Sequence, residues 1–250
     1  MPETDNRIFY KTKEGKGKAL VFIHGWLGSH KSWQPVDRNL DTDNPRVFYD
    51  LRCHGDSQCS RFSFETLAKD LERLLTDLKL ENPILVGHSM GGMVALTYAK
   101  SYDNFSGLFL AGSCASTPEP ENHSPRFFLE KFGSINRKTW AELIVENYAP
   151  ETDHPEVKSM VVRELLHAND TEIIYSLGSM LKYDVRDNFK GLDKPASVVA
   201  GEKDGAITMD KSEELAELLE CPLHRIDSSH LMLQEKPEKV AELLEQFLNP

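Results

Sequence analysis

The chain has 250 residues, 40% of them hydrophobic and 28% charged. That composition suits one large α/β domain, or a core domain with a small insertion, and argues against global disorder. The formal net charge is −11, so like-charge repulsion disfavours nucleic acid and anionic membranes as partners.

The N-terminal stretch Met1 to Arg7 is polar and acidic and carries no apolar signal core. No apolar run approaches the length of a membrane span. The four cysteines, Cys53, Cys59, Cys114 and Cys221, form no C-x-x-C pair and match no zinc spacing. They are expected as free thiols in a reducing compartment, Cys53 among them as an unreactive one, which points to a soluble cytoplasmic protein.

Short apolar, β-rich runs recur along the chain. They are Ala19 to Ile23, Arg46 to Tyr49, Ile84 to Val86, Gly107 to Ala111, Ala196 to Ala200 and a weaker Leu223 to Ile226. Several are apolar at nearly every position, the mark of parallel strands covered on both faces. Helical patterns lie between them. Phe64 to Leu78 repeats leucines at a period near 3.6, Met93 to Tyr102 and Ser212 to Leu219 follow, and Pro237 to Leu248 carries proline near its first turn. The alternation predicts an open, mostly parallel twisted sheet flanked by helices.

One segment breaks the rhythm. Thr117 to about Tyr183 has no convincing strand. It opens on a proline-rich loop, Thr117 to Pro120, and then reads as helices near Phe127 to Phe132, Lys138 to Asn147, Pro155 to Ala168 and Thr171 to Lys182. The expected organisation is a core of residues 1–116 and 184–250 with a helical cap at 117–183.

The chemistry-bearing stretch is Gly87-His88-Ser89-Met90-Gly91-Gly92, between an apolar strand and a helical run. A G-x-S-x-G match alone is weak: with Gly and Ser each near ~7% of residues, chance supplies one in roughly 8% of chains this long. Its position is the stronger signal. A nucleophile elbow needs a strand before it, a helix after it and small neighbours that tolerate a strained serine. A serine hydroxyl also needs a base, and the elbow predicts an acid and then a histidine downstream. Asp204 follows the Ala196 to Ala200 strand, and His230 follows the Leu223 to Ile226 strand. In an open parallel sheet, all three then fall at the carboxyl ends of strands, where such sheets bind ligands. Asp227 is the rival acid and His224 the rival histidine. Asp227 could instead cap a turn, and His224 falls inside the strand pattern. Donors for an oxyanion are expected from the backbone N–H groups of Met90 and of Trp26, the latter in the loop His24-Gly25-Trp26-Leu27-Gly28.

These stretches together resemble the α/β-hydrolase family. The resemblance rests on His24-Gly25-Trp26, Asp50 to Ser57, Gly87 to Gly92, Gly201-Glu202-Lys203-Asp204 and His230, in the family's order, from about residue 8 to residue 248. It is loosest in the insertion, which corresponds to the family's variable cap. It implies an α/β-hydrolase fold, a catalytic triad of Ser89, His230 and Asp204, an oxyanion hole at Trp26 and Met90, no metal and no organic cofactor. One departure is visible: similar proteins usually carry Gly where Cys53 sits.

Residue types narrow the reaction. Serine at the nucleophile position argues against the dehalogenases of this fold, and the His-Gly-Trp loop lacks the His-Gly-Gly-Gly run of one lipase group. His88 is more typical of esterases, lactonases and the haloperoxidase-like members. Met180 to Arg186 also resembles that group and the enol-lactonases. The expected function is hydrolysis of a small-molecule carboxylic ester or lactone. A carbon–carbon hydrolase or menaquinone-pathway-type lyase on the same triad is the alternative, and a non-catalytic receptor of this fold is the alternative of another class. His88 and Trp140 are candidates for substrate contact, and His24 and His54 for turn stabilisation. Of the insertion's aromatics, Phe127, Phe128, Phe132, Trp140 and Tyr148, one or two are expected to face the substrate. Arg52, Arg126 and Arg163 are candidates to hold a substrate carboxylate. The sequence carries no signal of oligomeric state.

Overall fold

The computed structural model describes residues 8–117, 125–152, 154–188 and 192–249. The N-terminal stretch Met1 to Arg7 and the prolines of the 117–120 loop lie outside the described residues.

Seven strands form one sheet. In chain order they are β1 (Tyr10–Lys13), β2 (Leu20–Ile23), β3 (Arg46–Tyr49), β4 (Ile84–His88), β5 (Gly107–Ala111), β6 (Ala196–Gly201) and β7 (Leu223–Ile226). Their order in space is β1-β3-β2-β4-β5-β6-β7, with β1 antiparallel to β3 and every other pair parallel. The register sets Ile23 beside Gly87, and Gly87 beside Leu110. The ends of β2, β4 and β5 therefore meet at one rim.

Both faces of the sheet are covered. Val21 and Ile23 of β2 join one apolar cluster, and Leu20 and Phe22 join another on the opposite face. The first cluster includes α2 (Phe64–Asp77), α3 (Met90–Ser101) and α8 (Met209–Leu218). The second holds α1 (Gln34–Asn39), α9 (Met232–Glu235) and α10 (Pro237–Leu248). Helix α2 starts where Ser63 and Thr66 form a reciprocal capping box. It buries Leu67, Leu71, Leu74 and Leu75, the positions a 3.6-residue period brings to one face.

Between β5 and β6 the chain makes α4 (Pro125–Lys131), α5 (Arg137–Tyr148), α6 (Pro155–His167) and α7 (Asp170–Met180). At the base of this insertion, Thr117 donates its N–H to the Tyr183 carbonyl and Val185 to the Ala115 carbonyl. The insertion shares a continuous apolar core with the sheet: Trp140, Ile144, Ile173 and Leu177 belong to the same cluster as α2 and α3.

The cysteines depart from the expected set of free thiols. Cys53 and Cys59 form a disulfide, and Cys114 and Cys221 are free. Cys53 takes φ 65°, so it occupies a left-handed position that favours glycine. The bridge to Cys59 spans the turn that Cys53 makes.

Candidate functional site

The strand β4 runs straight into α3 through Ser89. The backbone there takes φ 52° and ψ −122°, a region costly for a residue with a side chain. The surrounding glycines make the corner sterically feasible. A Cβ on Gly87 would stand 2.7 Å from the Gly91 carbonyl oxygen, and one on Gly91 would stand 2.2 Å from the Ile23 carbonyl oxygen. The Ser89 N–H donates to the Ala111 carbonyl at 2.9 Å, and the Ser113 hydroxyl donates to the Ser89 carbonyl at 2.9 Å. These bonds hold the corner between β4 and β5.

Ser89, His230 and Asp204 come together as a chain of hydrogen bonds. The Ser89 Oγ lies 2.9 Å from His230 Nε2, and His230 Nδ1 lies 2.8 Å from Asp204 Oδ2. The side chains of His230 and Asp204 are 3% and 1% exposed, so the pair is shielded from water. The other Asp204 oxygen accepts the backbone N–H groups of Ala206 and Ile207, each at 2.8 Å. Asp204, bonded at both oxygens, sets Nδ1 as the nitrogen that donates and leaves Nε2 to accept from the serine.

The loop holding His230 is tied down from several sides. Its N–H donates to the Tyr148 carbonyl at 3.0 Å, and the Tyr148 ring packs on the imidazole at 4.8 Å between centroids. The Glu235 carboxylate accepts from the Ser228 hydroxyl at 2.8 Å, the Ser229 N–H at 2.9 Å and the Thr152 hydroxyl of the insertion. Burial alone would raise the Glu235 pKa, but these hydrogen bonds outweigh it and hold the carboxyl below its ordinary range.

The rivals lie elsewhere. Asp227 is a surface residue paired with Lys203 at 2.7 Å, and His224 sits within β7. Arg52 is committed to a two-pronged pair with Asp70, at 2.7 and 2.6 Å. His24 accepts the Leu51 N–H at 2.9 Å, and His54 donates to the Arg52 carbonyl at 3.0 Å, so both brace loops.

Two cavities meet at Ser89, and Trp26, Tyr148 and His230 touch both. One is bordered by the Gly25–Gly28 loop, His88, Glu164 and Gln234. The other is mostly apolar, bordered by Met93, Phe128, Leu177, Met180 and Ile207. His88 lines the first and donates Nε2–H to the His230 carbonyl at 3.1 Å. Burial lowers its pKa to about 3, so it stays neutral beside His230. Trp140 borders neither cavity. It is 1% exposed, bonded to the Phe128 carbonyl and packed edge-on behind Trp26, which makes it core of the insertion and not a cavity wall.

Trp26 and Met90 flank the serine. Met90 is the first residue of α3, where a backbone N–H has no acceptor within the helix. The Trp26 loop passes so close that a Cβ on Gly25 would lie 3.2 Å from the Ser89 Cβ. Glu235 and Ser176 are site-supporting residues that sequence reasoning missed. Their partners, Thr152 and Trp26, lie 83 and 150 residues away along the chain, and no local pattern announces such contacts.

Among the described residues, one group offers ligand atoms close enough to hold a metal, His30, Asp50 and Asp56. Asp50 is already occupied there: it accepts from His30 and from the Asp56 N–H and orders the loop after β3. No helix among the described residues is long and apolar enough to cross a membrane.

The chain is similar to known proteins in sequence and fold. A family described as alpha/beta hydrolase fold matches residues 18–237. The AB hydrolase superfamily protein YisY of Bacillus subtilis is 26% identical over 250 residues, covering 94% of this chain and 93% of that protein. The 3-oxoadipate enol-lactonase 1 of Acinetobacter baylyi is 24% identical over 240 residues, covering 92% and 88%. Among solved structures, a thermophilic esterase from Thermogutta terrifontis superposes with a TM-score of 0.85 at 26% identity, covering 96% of this chain and 92% of its own. With the family matched over most of its length and the sheet order in hand, the chain belongs to the α/β-hydrolase fold family.

Proposed function

We propose that this protein is a serine hydrolase that cleaves a small-molecule carboxylic ester or lactone through an acyl-enzyme. The observation that carries the reading is the unbroken chain from Ser89 Oγ through His230 to Asp204, at 2.9 and 2.8 Å, opening onto two cavities. His230 Nε2 takes the hydroxyl proton as Ser89 Oγ attacks the carbonyl carbon. Asp204 holds the imidazole in place and stabilises the imidazolium. The backbone N–H groups of Trp26 and Met90 receive the oxyanion, each worth about 3 kcal/mol of barrier. His230 then gives its proton to the leaving alkoxide. A water, deprotonated by the same nitrogen, attacks the acyl-enzyme carbonyl; collapse of that second intermediate breaks its bond to Ser89 Oγ, which takes the proton back from His230, and frees the acid.

The apolar cavity suits the acyl chain, and the cavity beside His88, Glu164 and Gln234 suits the alcohol portion. In a lactone the two portions stay joined, and both cavities are filled by one molecule. In this reading helices α4 to α7 act as a cap on the α/β core, supplying Phe128, Tyr148, Leu177 and Met180 to the substrate walls.

Hydrolysis of p-nitrophenyl esters from acetate to laurate, by wild type and Ser89→Ala side by side, tests this. Wild type is expected to turn over with a chain-length optimum set by the apolar cavity, and Ser89→Ala to lose at least about 10³-fold in kcat while staying folded. Equal rates in the two proteins would refute the assignment.

A further inference from the structure

Trp26 has a side chain that leaves its own domain. Its backbone lies in the loop after β2, next to Gly25, where a Cβ would stand 3.2 Å from the Ser89 Cβ. Its indole points the other way, into the helical insertion. There Nε1–H donates to the Ser176 Oγ of α7 at 2.6 Å, and the ring stands edge-on to Trp140 of α5 at 6.0 Å and 80°. Ser176 is fully buried, and its own hydroxyl donates to the Glu172 carbonyl one turn earlier at 2.5 Å. That bond orients the oxygen lone pairs toward the indole. The indole N–H is a donor only, and buried without an acceptor it would be left unpaired. Ser176 is the one acceptor it has among the described residues.

On its other side the loop is held at Gly25, whose carbonyl accepts from His24 Nδ1–H at 2.8 Å. Gly28 donates to the Gly25 carbonyl at 3.1 Å, closing a tight turn, and Leu27 takes φ 55°. A tryptophan has two side-chain torsions, so an indole fixed at its edge and at its N–H leaves its own Cα little room to move.

We propose that Ser176 is a positioning residue for the oxyanion hole. By accepting the Trp26 indole N–H, it fixes the backbone N–H of Trp26 where the oxyanion develops. The hole is then complete only while α7 is docked, so the insertion shapes the catalytic rate as well as the substrate walls. This rests on the acyl-transfer reading above.

A hydrogen bond aimed at the oxyanion is stronger in the transition state than toward the ground-state carbonyl, so its loss lowers kcat and leaves KM nearly alone. The effect is also independent of acyl-chain length, because every ester passes through the same oxyanion. A residue that merely shapes the pocket gives the opposite pattern.

The test measures kcat and KM on p-nitrophenyl butyrate and octanoate for wild type, Ser89→Ala, Ser176→Ala, Trp26→Phe and the Ser176→Ala/Trp26→Phe double variant, with melting curves to confirm folding. Ser176→Ala and Trp26→Phe are each expected to lower kcat by about tenfold or more, since donor misplacement of this kind costs one to two orders of magnitude. KM should stay within about threefold, the factor should be the same for both esters, and the double variant should be no slower than the slower single, because both remove one bond. A Ser176→Ala kcat within twofold of wild type, a loss that appears in KM or depends on chain length, or additive losses in the double variant would overturn the proposal. Ser89→Ala separates the two levels. If wild-type hydrolysis depends on Ser89 while Ser176→Ala matches wild type, only the positioning role fails. If wild type shows no Ser89-dependent hydrolysis, the hydrolase reading and the positioning role fall together.

Discussion

At Ser89 the peptide chain turns a corner that few residues could share. A backbone at φ 52° costs about 1–3 kcal/mol, and the glycines on either side let the surrounding backbone close in and hold it. Gly91 is the most confined of them, with the Ile23 and His24 carbonyl oxygens 2.2 and 2.6 Å from where a Cβ would be. Neither carbonyl can step aside without shifting β2. Gly91→Ala is therefore expected to cost about 3 kcal/mol or more, lowering Tm by roughly 6 °C or more. Gly178→Ala is the control: it lies inside α7, and a Cβ there meets nothing within 4 Å. It should hold or raise Tm, because alanine is the better helix former by up to about 1 kcal/mol. Differential scanning calorimetry of the two variants checks the contrast; equal Tm values would contradict the elbow packing. At this scale the sequence was informative. The glycine spacing around Ser89 and the downstream order of Asp204 and His230 marked the residues that the structure joins by hydrogen bonds. Trp140 was misplaced because sequence cannot tell which aromatic of an amphipathic helix faces a cavity and which faces its own core.

At the scale of elements, legibility tracked burial. Strands β2 to β6 are buried at every position, so their apolar runs announce them. Strand β1, Tyr-Lys-Thr-Lys, pairs antiparallel at the sheet edge with three of four residues exposed, and it carries no apolar signal at all. Helices α1 and α9, of six and four residues, are too short to show a period. Helix α3 begins at Met90, three residues earlier than its apolar run suggests. Gly91 and Gly92 count against a helix by propensity, yet they are required there by the approach of β2 and Ser113. The Cys53–Cys59 bridge was hidden for a related reason: six residues of separation give no pairing signal until the left-handed turn at Cys53 folds the loop back. The contacts that join insertion to core, Ser176 with Trp26 and Thr152 with Glu235, depend on how whole elements dock.

At the scale of the whole molecule, the folded state keeps several buried groups neutral, and pH reads them out. Burial lowers His24 to about 4 and His54 and His88 to about 3. In the unfolded chain each titrates near its ordinary 6.5, so between pH 6.5 and those lower values the unfolded state binds more protons. Stability present above pH 6.5 is lost as pH falls, by up to about 1.4 kcal/mol per pH unit for each histidine. Glu172 works in the opposite sense. It lies 3.7 Å from His54 Nε2, and burial raises it to about 7, so its contribution is full below pH 4.5 and lost as pH rises through 7. The urea midpoint of wild type is expected to fall steeply from pH 6 to pH 4, while Glu172→Gln gains stability over wild type at pH 8 and loses that advantage by pH 4. A Glu172→Gln difference that is flat with pH would contradict this. The central claim, that Ser89 is the nucleophile of a working triad, is tested most directly by trapping it. Wild type, Ser89→Ala and His230→Ala are incubated with a fluorophosphonate, and the adduct is located by peptide mass spectrometry. The account predicts one adduct per chain, on Ser89, absent from Ser89→Ala and formed far more slowly in His230→Ala. An unlabelled wild type, or an adduct on another residue, would contradict it.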